Sequence, residues 1–183
     1  MKPFVSPQQI KVFSEQGFIA YDQVVAAEKL LPLRGKHWFE SAQLKQIAAG
    51  RMLPSLLASL AKEPTIRMGW DRWIESPLLL RCLLEELGSV NGLVGGILVC
   101  ASARDLSASP LRAGDAVVVA PRTPFDWGLY TDDMIGYLIT YTFSRARYLP
   151  RDDDPLLAQW KQWGYSAGDA LKAPQHPLLP QQS

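Results

Sequence analysis

Two stretches of the chain place charged and aromatic side chains close together. One lies between residues 63 and 75, the other between residues 121 and 128, and a tyrosine in a later strand pattern joins them. Small-molecule sites usually combine aromatic walls with a few charges, so these stretches predict a ligand pocket. The side chains expected to line it are Arg67, Trp70, Asp71, Arg122, Asp126, Trp127 and Tyr137. The alternative is a network of arginines and aspartates that fastens helices to a sheet.

The sequence Trp127-Gly-Leu-Tyr is also typical of an exposed aromatic loop. Tryptophan and tyrosine are enriched among the residues that dominate protein interfaces, and the chain has six tryptophans. The loop is therefore a candidate surface for a protein partner or for a homo-oligomer.

Carboxylates and histidines could support acid–base chemistry or metal binding. Five aspartates lie near the expected sheet loops: Asp105, Asp115, Asp126, Asp132 and Asp133. Paired carboxylates can act as acid and base, but aspartate also favours turns because its side chain bonds the backbone, and we expect this of Asp115. His37 is expected at the surface or at a helix cap, and His176 in a tail. A metal site built from both would need distant segments to converge.

Composition narrows the classes of function. The chain has 183 residues, 48% of them hydrophobic, and a formal net charge of +1, which suits one globular domain and predicts no nucleic-acid partner. Without a signal pattern or an apolar stretch of about 18 to 20 residues, we expect a cytoplasmic protein and no membrane partner. Nucleotide-binding, nucleophile-elbow and Cys-X-X-Cys motifs are absent. Cys82 and Cys100 are expected to behave as small apolar residues.

The first 87 residues read as mainly helical. Ser6 and Gln9 predict a capping box for a helix that ends at Gly17, and a short strand over 18–21 leads to a second helix over 24–31. Apolar residues at spacings of three and four predict two amphipathic helices over 38–63, broken at Gly50. The apolar run over 78–87 predicts a further, buried helix.

Residues 88–148 form the predicted β core. Runs rich in valine, isoleucine, leucine and tyrosine, bounded by glycine, proline and aspartate, predict strands over 97–102, 116–120 and 134–143. Residues 149–183 are expected to hold a short helix over 156–163 and a tail ordered only where its leucines dock. We interpret 1–183 as a single domain.

Three segments together resemble the non-haem iron, 2-oxoglutarate-dependent dioxygenase superfamily. Phe13-Ser-Glu-Gln-Gly-Phe-Ile-Ala-Tyr-Asp is similar to the helix–glycine–strand entry of its phytanoyl-CoA dioxygenase-like and prolyl-hydroxylase-like members. Ile66-Arg-Met-Gly-Trp-Asp-Arg-Trp-Ile resembles the Arg-Gly-Asp…Trp-Leu segment of bacterial prolyl-hydroxylase-like proteins. Leu111-Arg-Ala-Gly-Asp-Ala-Val-Val-Val-Ala-Pro-Arg-Thr is similar to the strand and loop that lead to the second metal-binding histidine. The resemblance implies a double-stranded β-helix.

The residues on which that family's chemistry depends are not matched. The family holds iron with two histidines and one carboxylate, the first two ligands coming from a His-X-Asp motif. Neither of the chain's two histidines stands in such a motif, and Pro124 or Phe125 occupies the place of the second histidine. The later arginine that holds the 2-oxoglutarate carboxylate is replaced near Gly136 or Tyr137.

We therefore predict an α+β fold: a reduced double-stranded β-helix of cupin or jelly-roll type, with N-terminal helices packed on its sheet. The predicted function is a non-catalytic, dioxygenase-like scaffold that binds a small molecule or a protein partner without a metal or cofactor. One alternative is an active iron- and 2-oxoglutarate-dependent oxygenase (a hydroxylase) with a rearranged metal site. The other is a structural subunit whose aromatic loops form an oligomer interface.

Overall fold

Helices precede and cover an antiparallel sheet in the computed structural model, which describes residues 5–75, 81–103, 110–131 and 134–180. Within those residues, no helix is long and apolar enough to cross a membrane. The helices are α1 (Pro7–Gln16), α2 (Ala27–Leu30), α3 (Ala42–Ala48), α4 (Met52–Ala61), α5 (Trp127–Thr131) and α6 (Leu157–Gln162), with 3-10 turns at Leu31–Leu33 and Leu84–Leu87.

The start of α1 follows from its first residues, as predicted. Ser6 Oγ accepts a hydrogen bond from the Gln9 backbone N–H at 3.2 Å, and Gln9 Oε1 accepts one from the Ser6 backbone N–H at 2.8 Å. This capping box satisfies N–H groups that the first turn of a helix leaves unpaired. The helix ends at Gly17, and the two amphipathic helices predicted over 38–63 are α3 and α4.

Six strands form one sheet in the order β1-β5-β4-β7-β2-β8, with every neighbouring pair antiparallel, and two short strands pair as a second sheet. The three predicted strands are the centre of the large sheet. The strands are β1 (Phe18–Tyr21), β2 (Thr65–Ile74), β3 (Arg81–Cys82), β4 (Val90–Ala103), β5 (Ala116–Val119), β6 (Phe125–Asp126), β7 (Met134–Tyr148) and β8 (Leu178–Pro180).

A β-bulge interrupts β2 where it pairs with β7. The register shifts between Met68 and Asp71. Gly69 lies so close to β7 that an added Cβ would come within 2.5 Å of Thr140 Oγ1. The Thr140 hydroxyl accepts from the Trp70 backbone N–H at 2.8 Å and donates to the Trp70 carbonyl at 2.7 Å. The bulge is thus fixed by one buried threonine and by the absence of a side chain at residue 69.

The bulge changes which side chains of β2 face the helices. Successive side chains of a strand point to opposite faces of the sheet, and one extra residue inverts that alternation. Met68 faces the helices before the bulge, whereas Asp71 and Trp73 do so after it. Trp70 and Arg72 consequently share the opposite face.

The sheet divides the apolar interior into two cores. The helix-side core joins α1, α3 and α4 to one face of the sheet through residues such as Leu57, Ile97, Val99, Val118 and Ile139. The second-sheet core joins the other face to β6, α5 and α6 through residues such as Leu98, Val117, Phe125, Leu138 and Trp160. Alternation along β4 assigns its odd-numbered residues 97 and 99 to one core and its even-numbered residues 98 and 100 to the other.

One predicted helix is wrong, and one long strand was not predicted. Of the predicted helix over 78–87, residues 81–82 form β3 and residues 84–87 form a 3-10 turn; the stretch 76–80 lies outside the described residues. A short apolar run does not by its periodicity distinguish a buried helix from buried non-helical chain. The ten residues of β2 form a strand inside the segment predicted to be mainly helical.

Candidate functional site

Asp71 joins the loop before α3 to the sheet. Its Oδ2 accepts hydrogen bonds from the Trp38 backbone N–H at 3.0 Å and from the Tyr137 hydroxyl at 2.6 Å, and His37 Nδ1 lies 3.5 Å away. The Asp71 side chain is buried, and a buried carboxylate needs such donors. These contacts, on the helix side of the sheet, fasten the loop before α3 to β2 and β7, and they involve no arginine.

The protonation states of this cluster follow from its contacts. The bond to Asp71 raises the pKa of His37, against a smaller opposing effect of burial. Burial and the neighbouring Asp71 carboxylate raise the pKa of Tyr137 well above its usual value. Tyr137 is therefore a neutral hydrogen-bond donor at neutral pH, and His37 is more readily protonated than a free histidine.

The opposite face of the sheet is apolar around Phe125 and Gly136, two of the positions that the resemblance relates to metal and 2-oxoglutarate binding. Leu98, Val117 and Leu138 are fully buried there. Phe125, one of the two residues expected in place of the second histidine, is 2% exposed and packs on Trp127 with 4.8 Å between the ring centroids. A Cβ added at Gly136 would meet Met134 and Leu98. Around these positions the second-sheet core consists of apolar side chains, whereas iron binding in the resembled family requires nitrogen and oxygen ligands.

The aromatic loop is not arranged as predicted. Trp127 is fully buried, and its Nε1 donates to the Cys82 carbonyl at 3.2 Å, because α5 carries it into the second-sheet core. The prediction that it is exposed is wrong; Leu129, at 55% exposed, is the large apolar side chain that the loop offers to solvent. Asp126 is exposed and accepts from the Leu129 backbone N–H at 3.2 Å.

The two arginines of the predicted pocket lie in different elements, Arg67 in β2 and Arg122 in the loop between β5 and β6. The Arg67 Nε donates to the Ser144 carbonyl at 3.3 Å, and its Nη1 donates to the His176 carbonyl. Arg122, with 83% of its side chain exposed, lies 3.4 Å from a Glu85 oxygen. Of the seven predicted pocket residues, the structure joins Asp71 and Tyr137 by a hydrogen bond. The seven as a set are distributed over both faces of the sheet and its surface.

His176 is buried in the C-terminal segment rather than exposed in a tail. It is 1% exposed, and its ring stacks on Trp160 with 5.0 Å between centroids. Its Nδ1 lies 2.8 Å from the Gly69 carbonyl oxygen and 3.2 Å from that of Met68, so Nδ1 carries the proton and donates. Its Nε2 is buried and has no hydrogen-bond partner among the described residues. Burial lowers the pKa of His176 to about 4.

Sequence reasoning missed Arg72, which shares a face with Trp70. The Arg72 Cζ lies 5.5 Å from the centroid of the Trp70 ring. Within the described part of the chain, neither Arg72 Nε nor Trp70 Nε1 has an acceptor, and both atoms are buried. The two-residue spacing in a strand was a usable signal, but it was hidden because no strand was predicted in this segment.

The aspartates that were candidates for acid–base work serve the backbone where the structure describes them. Asp115 accepts from the Gln23 backbone N–H at 2.8 Å and from the Arg112 backbone N–H at 2.9 Å. It fixes the turn into β5, as predicted. Asp105, Asp132 and Asp133 lie outside the described residues.

The residues that the structure describes do not fit an iron centre. Over residues 5–75, 81–103, 110–131 and 134–180, no three histidine, cysteine, aspartate or glutamate side chains cluster in a way that could hold a metal ion. His37 lies on the helix side of the sheet against Asp71, and His176 packs among the aromatic rings of the C-terminal segment. No step of a mechanism can therefore be derived through iron.

The fold of this chain is similar to that of several solved structures. No family model and no curated protein matches the sequence. Among solved structures, the chain is similar to the non-heme alpha ketoglutarate dependent carbocyclase SnoK from nogalamycin biosynthesis, with a TM-score of 0.71 and 14% identity over 96% of each chain. The epimerase SnoN from the same biosynthesis gives a TM-score of 0.69 and 13% identity over 94% of this chain and 97% of that chain. CT296 from Chlamydia trachomatis gives 0.53 and 15%, over 78% and 99%.

These likenesses identify the architecture. At such identities they show the fold alone, and the fold is the cupin-type arrangement of SnoK and SnoN, with helices on an antiparallel sheet. The predicted α+β class with a double-stranded β-helix core is confirmed. The second sheet is short: among the described residues it consists of two strands of two residues each.

Proposed function

We propose that this protein uses the oxygenase-type fold as a non-catalytic scaffold that binds a small molecule or a protein partner. The observation that carries the proposal is the packing of the second-sheet core. Residues that would have to supply or approach a metal are buried apolar side chains, among them Phe125, Leu98 and Leu138.

The physical reason is the demand that an oxygen-activating iron makes on its surroundings. Such a centre needs two imidazoles and a carboxylate on one side of the metal and open positions on the other for cosubstrate and oxygen. Protein cores pack to the density of organic crystals, so a face filled by buried leucine, valine and phenylalanine provides neither. The buried carboxylates of Asp71 and Asp115 are engaged with neighbouring backbone N–H groups.

An active oxygenase with a rearranged metal site is the second candidate. The fold favours it, since SnoN has been solved in complex with Fe3+, alpha ketoglutarate and nogalamycin RO. This candidate would have to bring new ligands to the second-sheet core or bind the metal elsewhere. It therefore differs from the first in a directly measurable property, namely stabilisation by metal and cosubstrate.

Thermal unfolding with and without these two molecules separates the candidates. The protein is heated anaerobically with Fe(II), with 2-oxoglutarate, with both, and with EDTA. A ligand at about 100 times its dissociation constant adds about 2.7 kcal/mol to the stability of the folded state, which would raise the Tm by several degrees. We expect no rise in Tm with Fe(II) and 2-oxoglutarate together, and no succinate release.

Two variants show where any stabilisation would come from. His37→Gln and His176→Phe each remove one imidazole from a different place in the fold. A rise in Tm in the wild type that either substitution abolishes, accompanied by succinate release, would replace the first candidate with the second.

A further inference from the structure

Arg72 is a partly buried cation with no salt-bridge partner among the residues that the structure describes. In the described part of the chain, no carboxylate lies within salt-bridge distance of its guanidinium, and its Nε is buried without an acceptor. Other arginines are paired, Arg34 with Glu75 and Arg151 with Asp153. Burial lowers the pKa of Arg72, partly offset by the charges of Asp154 and Cys82. A desolvated cation without a hydrogen-bonded partner is costly.

Trp70 presents a second unsatisfied donor at the same place. Its Nε1 is buried without an acceptor in the described residues, and the Arg72 guanidinium lies over its ring. The backbone of Gly88 approaches the indole so closely that an added Cβ would come within 2.5 Å of Trp70 Nε1. Two neighbouring N–H donors without acceptors call for an acceptor that the described residues do not supply.

Asp154, the carboxylate whose charge acts on Arg72, is already engaged by other donors. Asp154 is 6% exposed, and its oxygens accept from the Ser89 backbone N–H at 3.0 Å, from Trp160 Nε1 at 3.2 Å and from the Leu156 backbone N–H at 2.9 Å. It therefore holds the C-terminal segment on the sheet. The Asp154 carboxylate acts on Arg72 electrostatically, but its oxygens accept their hydrogen bonds from other donors.

We propose that Arg72 binds the carboxylate of a small organic monoanion at the face of the sheet that it shares with Trp70. A guanidinium donates two parallel hydrogen bonds to a carboxylate, and Arg72 remains partly exposed, so such a molecule can reach it from solvent. A single cation with Asp154 nearby suits one negative charge better than the two of a phosphate. The inference rests on the proposed function in that the bound carboxylate is a ligand and is not converted.

The test follows the Arg72 Nε–H and Trp70 Nε1–H signals by NMR. Propionate is titrated into the full-length protein at constant ionic strength, with neutral propionamide and inorganic phosphate as separate arms. We expect a saturable shift of both signals with propionate, no shift with propionamide, and weaker binding of phosphate. Arg72→Lys should weaken propionate binding at least about 10-fold, because lysine lacks the planar fork, whereas Arg51→Lys, at an exposed arginine, should leave it unchanged.

Each outcome decides the proposal. No saturable propionate shift in the wild type, equal binding by Arg72→Lys, or tighter binding of phosphate than of propionate would overturn it. The wild-type titration needs no variant to fold. Succinate release with Fe(II) and 2-oxoglutarate would refute the non-catalytic function alone, since a carboxylate could still bind at Arg72.

Discussion

Acidification should destabilise this protein through one buried histidine. The pKa of His176 falls from 6.5 in the unfolded chain to about 4 in the folded state because burial disfavours the imidazolium. Between these two values the unfolded chain binds the proton more readily, so stability falls as the pH is lowered from about 6.5 to about 4 and is independent of this group above that range. The difference in pKa corresponds to about 3 kcal/mol.

His176→Phe isolates that contribution from those of the carboxylates. Phenylalanine preserves an aromatic ring to stack on Trp160 but neither titrates nor donates to the Gly69 carbonyl. Near pH 7.5 the variant should be less stable by about 1–3 kcal/mol, because a buried carbonyl loses its donor. Near pH 4 the wild type alone carries the cost of protonating the imidazole, so the difference should vanish or change sign.

Urea unfolding monitored by tryptophan fluorescence measures both proteins. The free energies of unfolding are determined at about pH 7.5, 6, 5 and 4 and compared pairwise, since shared titrations cancel in the difference. Free energies of the two proteins that stay parallel over this range would refute the reasoning, because His176 would then titrate alike in the folded and unfolded states.

Three further predictions concern the cores and the cluster around Asp71. Tyr137→Phe should destabilise the fold by about 2 kcal/mol, since the buried Asp71 loses a hydroxyl donor; urea unfolding that matches the wild type would contradict this. His37 has a raised pKa in the folded state, so its contact with Asp71 should stabilise the fold fully below about pH 6.5, and this stabilisation should be lost as the pH rises through the folded pKa. The substitution His37→Gln should therefore lower the free energy of unfolding more near pH 5.5 than near pH 9. An equal loss at both pH values would count against the contact between His37 and Asp71. Cys100 is fully buried, and burial followed by the charge of Asp115 raises its pKa to about 11, so in a Cys82→Ser background iodoacetamide should label it only after unfolding; rapid labelling of the native protein would show that the thiol is accessible.

Much of the sheet could be predicted because its strands carry a local signal. The valine-rich run of β5 and the isoleucine- and tyrosine-rich run of β7 are bounded by turn residues, and both became central strands. The capping box at Ser6 and the period of three to four in α4 are equally local. Such features do not depend on distant parts of the chain.

The positions of site residues depended on distant contacts and could not be predicted. The bulge at Gly69 exists because Thr140, on another strand, occupies the space of a side chain and bonds Trp70 on both sides. Without the extra residue, Asp71 would face away from the helices and Arg72 toward them, so the face on which each side chain lies could not be predicted from the sequence. The composition of this segment favoured either a pocket or a network of charged side chains, and it did not indicate which atoms each side chain would contact.

The burial of His176 and Trp127 likewise could not be predicted from the local sequence. The tail that holds His176 lacks periodicity, and its burial results from the pairing of β8 with β2 and from stacking on Trp160. Trp127 begins a short helix after a two-residue strand, and only the second-sheet core determines that it points inward. Both side chains are placed by tertiary packing, which overrides the local polarity of their surroundings.

The account depends on the second-sheet core being a packed apolar interior rather than a metal centre. Crystals grown anaerobically with excess Fe(II) and 2-oxoglutarate can be measured at the iron absorption edge, where bound iron gives an anomalous peak. We expect no such peak on the face of the sheet formed by Leu98, Phe125 and Leu138. A peak there, held by a histidine and a carboxylate of this chain, would contradict the central claim.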